Sequence, residues 1–372
     1  MNVYFDNAAT TPLCIEVIDV MYDTSKTIFG NPSSIHSFGR KAKSKIEKAR
    51  KTIAKYLNCS PLEIVFTSCG TESNNMVLKS SIDSFDIKHL IISEIEHSCV
   101  LNTAKDIELK KNIELHIISV DEKGRINLNE LDEVLKNCTG NKLVSLMHAN
   151  NEIGTMLDLK KAGNICKKHD AFFHSDTVQT MAHFPFDVKE LNVNYISGSA
   201  HKFHGPKGIG FLYMRKDSKL DAFIHGGGQE RNYRSGTENL ISIVALGKAF
   251  ELAHENMKNR KKYIIGLKQY LKTRLENEIE GIQFNGDLEN SLYTVLSVSF
   301  PERFTSDMFL FNLDIEGIAC SGGSACSSGA QKASYVLQAI KHSKERQTIR
   351  FSFSHFNSKE EIDFLIGVLK KL

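Results

Sequence analysis

The order of apolar runs predicts an α/β protein: a large domain with a mostly parallel seven-stranded sheet, joined to a smaller α+β domain. Two observations carry this. Seven short strand-like runs, at 64–66, 90–92, 113–120, 143–147, 171–173, 195–196 and 209–214, alternate with helical or loop segments, the signature of parallel strands joined by crossovers. Beyond Gly236 the texture changes to one long helical stretch, then strands and a terminal helix. At 372 residues the chain has room for two domains. The expected division is a large domain over 13–250 and a small one over 251–372, onto which residues 1–12 fold back.

Taken in order, Phe5 to Pro12 is polar and turn-like, and Ile15, Ile18, Val20 and Met21 suggest a short helix. Phe29 to His36 is a loop by its Gly, Pro and Ser content. Phe38, Ala42, Ile46, Ala49, Ile53 and Leu57 then recur at spacings of three or four, which predicts an amphipathic helix burying all six. Within the alternating region, 129–135 and 159–168 read as helices. The long helix is expected from about Asn239 to Glu280, followed by strands at 294–300 and 349–353 and a helix over 359–372.

Ligands of parallel α/β sheets sit beyond the carboxyl ends of the strands, so the residues after each run are the first candidates. After Ile64–Phe66 comes Thr67 to Asn74, a small-residue turn opening a helix; its amides and positive dipole end suit a phosphate, or Thr71 or Ser73 simply caps the helix. Asp176 ends the run at 171–173 with Gln179 close behind, and either faces a protonated ring nitrogen or caps a helix. His97, beside Glu96, is suited to stacking on a planar ring or moving protons, or is structural. His148 and Asn150–Glu152 either donate to a ligand or satisfy a turn.

Lys202 lies in a turn between two apolar strands, where burial would lower its pKa as a Schiff-base lysine requires; a solvated lysine is the plainer alternative. Cys326 stands in a Gly/Ser-rich loop, Ala319 to Ala330, which reads as a thiol kept for reactivity, whereas Cys320 reads as core. Arg350, a charge inside a strand pattern, needs an anion, either a substrate carboxylate or an internal acid.

Composition narrows the class. The net charge of +3 arises from interspersed Lys and Glu without a basic block, which argues against nucleic-acid partners or an anionic membrane surface. No apolar segment reaches spanning length and the amino terminus has no signal pattern, so a cytoplasmic protein is expected. The eight cysteines form no Cys-x-x-Cys pair, favouring free thiols over disulfides or a zinc site.

In combination these stretches resemble the cysteine desulfurases, fold-type I pyridoxal-phosphate enzymes of the class V aminotransferase superfamily. The resemblance runs in order through Asp6–Pro12, Gly30–Ser34, Gly70–Ser73, Glu96-His97, His148–Gly154, Asp176–Gln179, Ser199–Lys202, Arg234–Thr237 and Gly323–Cys326. Cys69-Gly70-Thr71 stands where the family usually has Gly-Ala-Thr, a change that keeps the amide cradle.

The resemblance implies that Lys202 bonds the cofactor and moves the substrate's Cα proton. It further implies that Asp176 pairs with the pyridine nitrogen, Gln179 reaches the ring hydroxyl and His97 stacks on the ring and assists proton transfer. Gly70, Thr71, Ser199 and His201 would hold the phosphate, with Thr237 from the second subunit of a homodimer. Asn151 and Arg350 would bind the substrate carboxylate. Cys326, on a loop mobile enough to approach and leave, would take sulfur from L-cysteine and pass it to an iron–sulfur scaffold or a thiolation enzyme. Selenocysteine lyase or class V aminotransferase activity is the alternative; transamination would not need Cys326.

Overall fold

The computed structural model describes residues 1–304, 308–322, 334–343 and 345–372. The loop residue Cys326 lies outside the described residues.

In chain order the elements begin with strand β1 (Val3–Tyr4), helices α1 (Ile15–Thr27) and α2 (Ser37–Leu57), then β2 (Ile64–Thr67) and α3 (Gly70–Ser84). Next come β3 (Ile87–Ser93), α4 (Ser98–Lys110), β4 (Glu114–Ile118), α5 (Leu128–Asn137), β5 (Asn141–Ser145), α6 (Leu159–Lys168) and β6 (Phe172–Asp176). Then β7 (Tyr195–Ser199), β8 (Gly210–Met214), α7 (Leu240–Glu255) and α8 (Met257–Glu278) follow. The remainder comprises β9 (Gln283–Asn285), β10 (Val295–Phe300), α9 (Phe309–Ile315), β11 (Ile318–Ala319), β12 (Ser321–Gly322), α10 (Tyr335–Ala339), β13 (Gln347–Ser352) and α11 (Lys359–Leu369).

The seven-stranded sheet runs β2-β8-β7-β6-β5-β3-β4. Every adjacent pair from β7 to β4 is parallel, while β8 runs against both of its neighbours. The sheet is therefore mixed but mostly parallel, as its near-continuous apolar strands require when helices cover both faces. Caps set where the crossover helices begin: Asn127 accepts from the Glu130 amide at α5, and Asp158 from the Lys161 amide at α6.

Two expectations need correction. The long helix after Asn239 is two helices, because Asn256 breaks the geometry at φ −101°, ψ 2°. In α2 the predicted face is buried except at its first member: Phe38 is 55% exposed and its ring lies 5.2 Å from Phe29. A residue in the first turn of a helix can belong to the apolar stripe and still reach past the end of the core beneath it.

A second sheet, β12-β13-β10-β9, is antiparallel throughout. Its core gathers Leu267, Leu271 and Leu275 from α8, Phe300 and Phe351 from the strands, and Val3 and Phe5 from the amino terminus. β1 pairs in parallel with β11, and Phe5 meets Phe351 and Phe353 edge-on at 6.2 and 5.6 Å. The first residues thus pack against the last third of the chain. From there, residues 6–12 run back to the end of β7, where the Thr11 amide donates to the His201 carbonyl at 2.9 Å.

The outer strand β2 is buried along its whole length. Arg50 of α2 makes a two-pronged ion pair with Glu230 at 2.7 and 2.8 Å, and Glu230 also accepts from the Phe66 amide at 2.8 Å. Both charges are almost wholly withdrawn from water, at 4% and 3% side-chain exposure. This pair ties the segment around Glu230 to the sheet's outer strand.

Candidate active site

At the carboxyl ends of the parallel strands a cleft of about 310 Å³ opens, within the size range of small-ligand sites. Gly70, Thr71, His97, Asn151, Asp176, Gln179, Ser199, His201, Lys202 and Arg350 all line it. They come from the ends of β6 and β7, from the segments that follow β2, β3, β5, β6 and β7, and from β13, and the strand ends bring them together. Thr237 is exposed and does not line the cleft within one chain.

The turn after β2 opens α3 at Gly70, and the N-cap residue Cys69 supplies no side-chain hydrogen bond. Neither Thr71 nor Ser73 caps the helix: the Ser73 hydroxyl bonds to Thr67 and to the carbonyls of Cys69 and Phe211 instead. The first amides of α3 therefore face the cleft without a side-chain acceptor, the condition for anion binding. Gly70 has a steric reason as well, since a Cβ there would stand 2.5 Å from Val178 Cγ2.

Asp176 ends β6 with its carboxylate fixed on both oxygens. Oδ1 accepts from the Val178 amide at 3.0 Å and Oδ2 from Asn74 Nδ2 at 2.6 Å. The turn that follows is not a helix, so Asp176 caps none. Asn74 was not expected here; it sits one turn into α3, and only the folded chain brings that turn against β6. On the neighbouring strand the Ser199 hydroxyl is buried with no hydrogen-bond partner, an orphan awaiting an acceptor or donor in the cleft.

Lys202 ends a short 3₁₀ turn, Ala200–Lys202, between β7 and β8. Its ammonium donates to the carbonyls of Ala8 at 2.5 Å and Ala9 at 2.8 Å. Gln179 Nε2 donates to the Ala8 carbonyl at 3.0 Å. Residues 8 and 9 thus form one wall of the site through backbone atoms, a role that side-chain patterns do not reveal. His201 donates to or accepts from Thr10 Oγ1 at 3.2 Å. Burial, reinforced by Lys202 and Lys207, pushes the His201 pKa down to about 4, so the ring is neutral at pH 7.

His97 caps α4: its Nδ1 accepts from the Cys99 amide at 3.2 Å, which places the ring proton on Nε2. Cys99 Sγ stands 3.0 Å from the same nitrogen. The adjacent Glu96 is fully buried, and burial pushes its pKa up to about 8 despite bonds from Ser93 and the Met147 amide. Of the group at 148–152, Asn151 reaches the cleft. Asn150 satisfies its own turn through Glu152, Ile153 and Ile95, and His148 bonds Thr180 at 2.8 Å.

Arg350 has the internal acid that its strand position required. Nη2 pairs with Asp6 Oδ1 at 2.7 Å, and Nη1 donates to the Asn151 carbonyl at 2.9 Å. The side chain is 2% exposed, and its Nε is buried without a partner. Cys320, partly buried against the smaller core, has its thiol pushed up to about 12 by burial and by Asp6, as expected of an inert thiol.

The polar groups in this cleft suit a ring-bearing phosphate: uncapped helix amides, an orphan hydroxyl and a lysine as donors, and a fixed carboxylate as acceptor. Comparison with known proteins leads to the same class. The family model "Aminotransferase class-V" matches residues 3–365. A relative from Dictyoglomus turgidum named "Cysteine desulfurase IscS" is 42% identical over 375 residues, covering 100% of this chain and 94% of that protein. A solved structure named "NIFS-LIKE PROTEIN" superposes with a TM-score of 0.92 at 37% identity, each chain covered in full. Another, "SspA in complex with cysteine", gives 0.83 at 34% identity, covering 96% of this chain and all of that one.

The chain belongs to the class-V aminotransferase family. Within it, its relatives over the full length are the cysteine desulfurases, and cysteine desulfurase is its activity. The family is in general pyridoxal-phosphate dependent.

Proposed function

We propose that this chain binds pyridoxal 5′-phosphate in the cleft and uses it to remove sulfur from L-cysteine, giving L-alanine and a persulfide on Cys326. The observation that carries the reading is the convergence on one cleft of Lys202, the fixed Asp176 carboxylate and the uncapped start of α3. The bound cofactor supplies an electron sink for the negative charge that develops at the substrate's Cα.

The residues divide the work. Gly70, Thr71, Ser199 and His201 hold the phosphate, and the neutral ring of His201 donates without adding a second cation beside Lys202. Asp176, locked by Asn74 and Val178, keeps the ring nitrogen protonated, and Gln179 faces the ring hydroxyl. His97 packs on the ring face. Lys202 anchors the cofactor and carries the Cα proton, and the carbonyls of Ala8 and Ala9 receive its amino group when substrate releases it from the cofactor. Asn151 and Arg350 take the substrate carboxylate; Asp6 holds the guanidinium while that anion is absent.

The Cys326 thiolate then attacks the substrate sulfur. The electron pair of the breaking Cβ–Sγ bond stays on carbon, which takes up a proton and leaves as L-alanine. The sulfur remains as a Cys326 persulfide for an acceptor, an iron–sulfur scaffold or a thiolation enzyme. The same reading makes the enzyme a cytoplasmic homodimer in which Thr237 completes the partner's phosphate site. It also divides the chain at 250, with 1–12 joining the smaller unit. Among the described residues no helix is long and apolar enough to cross a membrane, and Thr237 is exposed, as a residue serving a neighbour would be.

The test is peptide mass spectrometry of the cofactor-loaded protein after L-cysteine is added without reductant. One extra sulfur on the Cys326 peptide, removed by reduction, is expected. Lys202→Ala should abolish it and lower turnover by at least about 10³-fold. Consumption of L-cysteine with Cys326 unmodified would instead favour a lyase or transaminase.

A further inference from the structure

Away from the cleft, three side chains distant in sequence meet at the far flank of the large sheet. One donor atom from each of His89, His116 and Cys138 lies within 4.8 Å of the other two. His89 comes from β3, His116 from β4, and Cys138 is the residue that ends α5. Strand pairing sets Glu114 opposite His89, and Glu114 and His116, two apart on β4, share a face.

Two of the three ligand separations match a tetrahedral coordination shell, and the third lies within 4.8 Å. With metal–nitrogen bonds of about 2.0–2.1 Å and a metal–sulfur bond of about 2.3 Å, ligand atoms around zinc stand roughly 3.3 Å apart for two nitrogens and roughly 3.6 Å for nitrogen and sulfur. Here His89 Nδ1 and His116 Nε2 are 3.1 Å apart, and His116 Nε2 and Cys138 Sγ are 3.6 Å apart. The Glu114 carboxylate reaches both histidines, at 3.4 Å from His89 Nδ1 and 3.7 Å from His116 Nε2.

The surroundings match as well. His89 Nε2 lies 2.9 Å from the Thr139 carbonyl, so its proton is held there and the Nδ1 lone pair is turned toward the cluster. That arrangement, in which one ring nitrogen donates to a carbonyl and the other binds, is the usual way a metal-ligating histidine is oriented. The two histidine side chains are only 13% and 21% exposed, while Glu114 is 65% exposed and leaves an entry path.

The geometry points to a site for a borderline-soft divalent cation of the zinc class, held by His89 Nδ1, His116 Nε2 and Cys138 Sγ with Glu114 at the open position. Imidazole and thiolate together select zinc or cobalt over magnesium or calcium. Binding forms the metal–sulfur bond with release of the thiol proton to solvent, and no electron is transferred. The site is structural rather than catalytic, because His89 lies four residues before Ser93, at the end of β3 remote from the cleft. A cation there ties the outermost strand β4 to β3 and to the turn between α5 and β5.

The test uses the full chain with its cofactor, stripped by a chelator and kept free of L-cysteine and added thiols. Titration with Co²⁺ alone should give one equivalent per chain with intense tetrahedral visible bands and a thiolate-to-cobalt charge-transfer band. Cys138→Ser should remove the charge-transfer band, His116→Asn should weaken binding at least tenfold, and desulfurase turnover without metal should be unchanged in both. Zn²⁺ alone should raise the melting temperature of the parent protein but not of Cys138→Ser. Should either variant fail to fold, Glu114→Gln, at an exposed position, should still weaken Co²⁺ binding measurably. A charge-transfer band that survives Cys138→Ser, or that disappears only with Cys326→Ser, overturns the proposal, as does the absence of stoichiometric binding.

Discussion

The two edges of the large sheet are finished in opposite ways. β2 is buried along its length and closed by the Arg50–Glu230 pair, whose partners lie 180 residues apart. β4 is largely open, with only its last residue fully buried, and its rim carries His89, Glu114, His116 and Cys138. Unpaired edges invite association with other strands, and these are two remedies: cover the edge, or make it polar. The covered edge also feeds the turn of Gly70, so the buried ion pair braces the strand that leads into the cleft. The outermost strand β4 itself leads to no cleft residue, whereas its neighbour β3 leads to His97.

Removing half of the buried pair should have the largest effect. Glu230→Ala removes the buried partner of Arg50, leaving it only the half-exposed Glu47 at 3.1 Å, and frees the Phe66 amide, so urea unfolding should show a loss of about 3 kcal/mol. Replacing both charges with apolar residues of similar volume should recover most of it. A loss as small as that of an exposed pair would mean that the covered edge does not depend on this contact.

A pH series probes the buried histidines, which include His148 and His174 at the large sheet and a group at the junction between the two cores. There His183, His204 and His355 are pushed down to about 4, 3 and 4, by burial first and then by neighbouring cations, Arg260 among them. Their folded pKa values lie below the ordinary 6.5, so the unfolded chain binds more protons between those limits. Stability should be fully present above about pH 6.5 and should fall as the pH drops toward 4, read as a declining urea midpoint. The smallest effect belongs to the open edge: without metal, Glu114→Gln should change stability by less than about 0.5 kcal/mol and leave turnover unaltered.

Much of this architecture was legible in the sequence, for physical reasons. Buried parallel strands must be apolar along their length, so the seven runs declared the sheet, and the residues ending them declared the cleft. Helix ends set by a single residue were harder. Asn256 breaks the stretch between α7 and α8 without a proline or glycine to mark it. Residues that act through the backbone left no trace either: the carbonyls of Ala8 and Ala9 receive Lys202, and any residue type carries a carbonyl. Asn74 and Asp6 support Asp176 and Arg350 across 102 and 344 positions, distances at which spacing carries no signal. The same limit applies to the cluster at the β3–β4 edge. Local motifs were absent, whereas His89, His116 and Cys138 meet only because β3 and β4 pair.

The contacts of the amino-terminal segment have a consequence for biosynthesis. Asn7 and Ala8 are held by Ser352, and β1 needs β11 as its partner. The carbonyls that receive Lys202 can be fixed in place only after almost the whole chain has left the ribosome. The cleft cannot be completed until the first residues made have met some of the last. A nascent chain stalled before β13 would therefore carry Lys202 and Asp176 without the backbone wall of residues 8 and 9 held in place.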